Sequence, residues 1–228
     1  GEGLEVSSGF YSDIIFAAPT IADIECRWKS RLRQDEVAED IKKYAELLRD
    51  SGCRYLPINA PVRVPTTTKQ DEEDLVLFLN RLGREVASMD VKMLIHNESN
   101  SLIWSFEELK SFTEMLDMNV IGICPDLAHI RDIGGRPEEM LDHFIDDIPV
   151  MHWKDCVKQI PDDFPIVPNL FELHNDYYTH LNDGLIDFEK CAGVVKEHSW
   201  SGWMVLEIPI GKGTERIDSS IQYINTIL

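Results

Sequence analysis

Four short apolar runs end in side chains able to bind a metal ion or move a proton. Val91–Ile95 leads into His96 and Glu98, and Val120–Cys124 into Asp126. Val150–Met151 leads into His152 and Lys154, and Trp203–Leu206 into Glu207. One acid or imidazole at the end of a strand means little, but four such positions define a site if the strands are parallel and close into a barrel. There the C-terminal strand ends converge on one face, so residues distant in sequence meet. Asp, His and Glu without Cys form a mixed oxygen and nitrogen donor set. That set suits Mn²⁺, Co²⁺, Zn²⁺ or Mg²⁺ with positions left open for substrate oxygens, and it does not choose among them.

Each residue also has an ordinary explanation. Asp126 follows Pro125 and could cap the next helical turn. His152, between Met151 and Trp153, could be a hydrogen-bonded core histidine. Glu207 is harder to dismiss, because it ends the run Trp-Met-Val-Leu, where an ionised carboxylate is costly unless paired or metal-bound. His129 stands three residues after Asp126 and reads as either a substrate contact or a surface residue. His143, in an acidic helix, and His198, at a helix end, read as structural; His174 and His180 fall in or beside an irregular loop.

Positioning these residues requires alternating strands and helices, and the chain has that rhythm throughout. Strands are expected at Leu4–Ser7, Arg54–Asn59, Val91–Ile95, Val120–Cys124, Val150–Trp153 and Trp203–Leu206, with a seventh hidden between Val157 and Ile186. Asp35–Ser51 is expected as a helix with Val37, Ile41, Tyr44, Leu47 and Leu48 on one face and Gly52 as its stop. Further helices are expected at Glu72–Met89, from the Ser105–Glu108 capping box to about Asp117, and at Pro137–Phe144, Asp187–His198 and Ile217–Ile227. Residues 157–176 carry Pro161, Pro165 and Pro168 without a clean period, as a lid or active-site loop does.

The chain has 228 residues, 41 acidic against 22 basic, and a formal net charge of −19. This predicts a single folded domain over residues 1–228 with an acidic surface, and it disfavours nucleic acid, whose phosphates need Lys and Arg. The five cysteines, Cys26, Cys53, Cys124, Cys156 and Cys191, form no C-x-x-C pair, as expected of reduced thiols in a cytoplasmic protein. No apolar run reaches membrane-spanning length. Gly1 rather than Met opens the chain, which reads as a processed or trimmed start.

Five motifs in order carry a resemblance. They are Ile95-His96-Asn97-Glu98, Cys124-Pro125-Asp126-Leu127-Ala128-His129, Met151-His152-Trp153-Lys154-Asp155, Leu181-Asn182-Asp183-Gly184-Leu185-Ile186-Asp187-Phe188 and Trp203-Met204-Val205-Leu206-Glu207. Together they resemble the xylose-isomerase-like TIM barrels of the sugar phosphate isomerase/epimerase group. That group includes tagatose and fructoselysine epimerases, hydroxypyruvate isomerase, inosose dehydratase and, more distantly, metal-dependent abasic-site endonucleases. The resemblance implies a (β/α)8 barrel holding one divalent metal, with Mn²⁺ the first expectation. Asp126, His152 and Glu207 would be ligands, with His96 or Glu98 as the fourth. Many relatives have Glu-Asn-His where this chain has His96-Asn97-Glu98, and the dehydratase branch carries His first. Relatives also show Gly-x-Gly where this chain has Asn182-Asp183-Gly184. A full barrel takes about 250 residues, and Leu4–Ser7 best matches a second strand. A missing or truncated first βα unit is therefore expected, with edges that a homo-oligomer would cover.

The implied chemistry is carbohydrate metabolism. A sugar or keto-polyol loses the proton α to its carbonyl, giving an enediolate. Glu207, with Glu98 or His96, would transfer protons, and Lys154 and His129 would bind substrate oxygens. Isomerisation or epimerisation is the first expectation, and dehydration of a keto-inositol the second. A catalytically inactive barrel acting as a subunit or binding protein is the alternative of another class. The endonuclease branch would need a larger His-rich metal cluster and a basic face, which this chain lacks.

Overall fold

Strands buried on both faces are the signature of a parallel sheet covered by helices, and every residue of Ile121–Cys124 (β3) and Val150–Trp153 (β4) is buried. The computed structural model describes residues 3–12, 31–161, 163, 175–207 and 216–228. Tyr55–Asn59 (β1), Lys92–His96 (β2) and β3 pair in parallel, with Ile58 opposite Ile95 and Ile95 opposite Ile123. Trp203–Leu206 (β7) runs parallel to β4, with His152 opposite Val205. The two sheets are joined where the His152 N–H donates to the Pro125 carbonyl at 2.8 Å. At the other flank, Gly9 and Tyr11 donate to the carbonyls of Tyr55 and Pro57 at 3.0 and 2.9 Å. β1, β2, β3, β4 and β7 thus form one parallel arc that begins at Gly9–Tyr11, in barrel order, with a continuous apolar core against the helices.

The opening strand lies later than expected. Leu4 is 91% exposed and Val6 is also exposed, whereas Gly9 is buried. A Cβ at Gly9 would meet Leu48 Cδ1 at 2.6 Å, so the chain closes on the first helix only where the residue has no side chain. Residues 13–30, on which the expectation of a missing first unit bears, lie outside the described residues, as do Cys26, Pro165, Pro168 and His174.

Helix α1 (Arg31–Asp50) buries Val37, Ala38, Ile41, Ala45 and Leu48, and Gly52 follows it at φ +84°. Leu47, expected on that face, is 63% exposed, because the buried stripe passes through Ala45 instead. Helix α2 (Lys69–Ala87) starts before the expected Glu72, since Thr68 and Asp71 form a reciprocal capping box. The Ser105–Glu108 box opens α3 (Phe106–Thr113), which stops short of Asp117. Then follow α4 (Leu127–Arg131), α5 (Pro137–Phe144), α6 (Phe188–Glu197) and α7 (Ile217–Ile227). Between Val157 and Ile186, where a seventh strand is expected, the described residues hold Tyr178–Thr179 (β6), antiparallel to Asp155–Cys156 (β5), which lies just before that span. None of the described helices is long and apolar enough to cross a membrane. Cys53, Cys124, Cys156 and Cys191 are buried free thiols.

Asp155 explains why two of the motifs travel together. Its carboxylate accepts from the N–H groups of Cys156 at 2.8 Å, Gly184 at 2.9 Å and Ile186 at 3.2 Å, pinning the Asn182–Gly184 turn under the end of β4. Asn182 takes φ +67°, a left-handed conformation that Asn tolerates better than most residues. A Cβ on Gly184 would collide with the Cys156 carbonyl and the Asp155 carboxylate. Gly184→Ala is therefore expected to cost about 1–3 kcal/mol, read as a lowered urea midpoint; an unchanged midpoint would mean that the turn relaxes freely.

Candidate active site

The parallel register brings the strand-end residues together. His96 ends β2, Asp126 follows β3 and His152 lies within β4, and all three are buried. One donor atom from each lies within 4.8 Å of the others, a spacing that could hold a metal ion. Neither ring nitrogen of His96 has a hydrogen-bond partner among the described residues. An imidazole buried without partners is costly unless something else binds it, so the donor set fits a divalent ion. Burial, and next the facing His152, hold the His96 pKa well below its ordinary value, favouring the neutral form that a metal needs.

Asp126 caps the next helix and at the same time faces the site. Its Oδ1 accepts from the Ala128 and His129 N–H groups at 2.8 and 3.4 Å, capping α4, while Oδ2 faces the Lys154 ammonium at 2.8 Å. Asn97 holds Asp126 from behind: the Asp126 N–H donates to Asn97 Oδ1 at 2.8 Å and Asn97 Nδ2 donates to the Asp126 carbonyl at 3.2 Å. Of the exchanged pair, His96 rather than Glu98 enters the trio. Glu98 accepts from Asn59 Nδ2 at 3.2 Å and faces His129 Nε2 at 2.9 Å.

Glu207 lies beside the trio. Its Oε2 is 3.1 Å from His152 Nδ1 and its Oε1 accepts from Lys154 Nζ at 2.7 Å, while its side chain is 38% exposed. Lys154 is buried between Asp126 and Glu207, 3.2 Å from His129 Nε2 and over the Tyr178 ring. Burial works against its charge, but Asp126, Glu207 and Glu98 outweigh burial and raise its pKa. Burial likewise would raise Glu98 and Glu207. His129 and then Lys154 bring Glu98 down to about 2, and Lys154 with His152 holds Glu207 well below the carboxylate range. Burial would lower His129 and His152, but Asp126 and Glu98 lift His129 to about 10, and Cys124 with Glu207 lifts His152 to about 10.

Several neighbours escaped the sequence reading. Phe10 sets its ring edge-on to His96 at 4.9 Å and 5.6 Å from His152, from the far end of the chain. Behind His129 lie Ser99, Tyr178, Trp104 and Asp132. Only Asp132 left a signal, since Asp126, His129 and Asp132 are spaced by three along one short helix. His143 packs on Phe106 and Phe144, and His198 pairs with Asp142 at 2.9 Å, both as structural residues do.

A family model described as xylose isomerase-like TIM barrel matches residues 13–227. The inosose dehydratase of Geobacillus kaustophilus is 25% identical over 201 residues, covering 79% of this chain and 64% of that protein. The chain thus spans just under two thirds of that relative's length. A D-tagatose 3-epimerase-like protein superposes at a TM-score of 0.76 with 14% identity, over 99% of this chain and 78% of its own. An IOLI protein solved with a bound zinc atom superposes at 0.73 with 15% identity, over 98% of this chain and 74% of its own. These structures share the fold, and the sequence match extends over nearly the whole chain: it belongs to the xylose isomerase-like TIM barrel family.

Proposed function

We propose that this chain is a metal-dependent enzyme that removes the proton α to the carbonyl of a keto-polyol or keto-sugar, with loss of water as the first outcome. The observation that carries this reading is the convergence of His96, Asp126 and His152, with Glu207 at their side. Those three would hold the ion and Glu207 could complete the set. Mn²⁺ is the ion to supply first, with Co²⁺, Zn²⁺ and Mg²⁺ as alternatives. When bound, such an ion supplies Lewis acidity, stabilising negative charge as it develops on a carbonyl oxygen.

The protein's own groups account for the rest. Glu207 is half-exposed and ionised, so it can reach a substrate carbon and take its proton. Lys154 and His129 stand beside it with protons to give, and an acid next to the base is what departure of a β-hydroxyl requires. The inosose dehydratase relatives support elimination. Isomerisation or epimerisation is the second reading, because Glu98 supplies a further carboxylate near the same ammonium, and epimerisation needs two proton-transfer groups.

Protein freed of metal and reloaded with Mn²⁺ should convert a member of a keto-inositol and keto-sugar panel, followed by mass spectrometry. Loss of one water identifies a dehydratase, and unchanged mass with altered retention an isomerase or epimerase. If no ion binds and Mn²⁺ leaves Tm unchanged, both enzyme readings fall and the inactive-barrel alternative stands.

A further inference from the structure

Asn59 ends β1 directly opposite His96 in the parallel register, and paired residues of neighbouring strands send their side chains to the same face. It therefore shares the chamber of the trio, and it is only 2% exposed. Half of its amide is used. Nδ2 has two hydrogens, and it donates to Glu98 Oε2 at 3.2 Å and to Ser12 Oγ at 3.0 Å. Oδ1 is buried and has no partner among the described residues. Turning the amide over does not help, because that would set its carbonyl against the Glu98 carboxylate. Glu98 is itself held in place, with Oε1 accepting from the Ser99 N–H at 3.2 Å and facing His129 Nε2 at 2.9 Å. If only packing mattered here, leucine would fill the position without leaving an acceptor unmet. A buried acceptor without a donor, across from the two unpartnered nitrogens of His96, is what a site completed by its ligands looks like.

We infer that Asn59 is a specificity-determining residue whose Oδ1 accepts the hydrogen of a substrate hydroxyl, one that does not itself bind the ion. This rests on the function proposed above and deepens it: the substrate carries a free hydroxyl on the β1 side of the ion. A hydroxyl fits better than an ammonium group, because the nearby carboxylates, Glu98 and Asp126, already face His129 and Lys154. The half-exposed ring of Phe10 rests on His96 and His152 and swings aside to admit the substrate. A compound lacking that hydroxyl leaves Oδ1 unmet and is rejected.

Calorimetry with myo-inositol and its monodeoxy analogues, each missing one hydroxyl, with and without Mn²⁺, tests this without requiring turnover. Removing a hydroxyl that binds the ion should weaken wild type and Asn59→Leu alike. Removing one further hydroxyl should weaken wild type by about 10- to 100-fold and leave Asn59→Leu unchanged. An effect passing only through Glu98 or Ser12 would lower the affinity of the variant for every ligand by one common factor. That result overturns the inference, as does a wild type that binds all the analogues equally or none of them. Asn59→Ala, read in the same way, replaces Asn59→Leu if that variant fails to fold. The function proposed above fails separately, if Mn²⁺ does not bind and no keto compound is converted. Inositol binding that depends on Asn59 but not on Mn²⁺ would then leave this inference standing.

Discussion

Lys154→Met should destabilise the metal-free protein by about 3–5 kcal/mol, the range for breaking a buried ion pair by removing one partner. The Lys154 ammonium lies 2.8 Å from Asp126 and 2.7 Å from Glu207, and Glu98 adds to its field. Methionine fills similar volume and leaves the fully buried Asp126 Oδ2 with only His129 Nε2, at 3.5 Å, to face its charge. Urea unfolding in a chelator measures the loss; a change under about 1 kcal/mol would mean that Asp126 is neutralised another way. A divalent ion would meet the same carboxylates without the competing ammonium. Saturating Mn²⁺ should therefore raise the Tm of Lys154→Met by more than that of wild type, and an equal rise would separate the ion's position from Asp126.

Glu207→Gln should cut proton abstraction by about 10²–10⁴-fold, the usual contribution of a positioned general base, and it should also lower stability, because buried Lys154 loses one of its charged partners. Deuterium uptake from D₂O α to the carbonyl of a keto-inositol, followed by NMR, reads this step whichever product forms. Retained uptake would mean that the base lies elsewhere, with Glu98 the first residue to test next.

How much of this was legible in the sequence follows from the range of the interactions. Pro137–Phe144, Val150–Trp153, Trp203–Leu206 and Ile217–Ile227 have the expected limits because local periodicity and caps set them. His96, Asp126, His152 and Glu207 could be singled out because a parallel barrel sends strand ends to one face. Contacts that depend on tertiary closure could not be read. Leu4 and Val6 alternate like a strand, yet pairing falls at Gly9–Tyr11, where the backbone must approach Leu48. The choice of His96 over Glu98 depends on Asn59 and His129 drawing the carboxylate aside. Ser99, Trp104 and Tyr178 gave no signal, because a hydroxyl or indole becomes informative only once its buried acceptor is known.

The pairing of Gly9–Tyr11 with β1, and of β4 with β7, also bears on how the chain folds. Residues from Phe10 to Glu207 must meet before the site exists, and such non-local pairing is the slow part of folding because loop closure precedes its reward. The local helices can form early, but the imidazoles and carboxylates come within reach of one another only when the last strand docks. During synthesis that strand emerges after the other strand-end groups, so the set is complete only once it has left the ribosome.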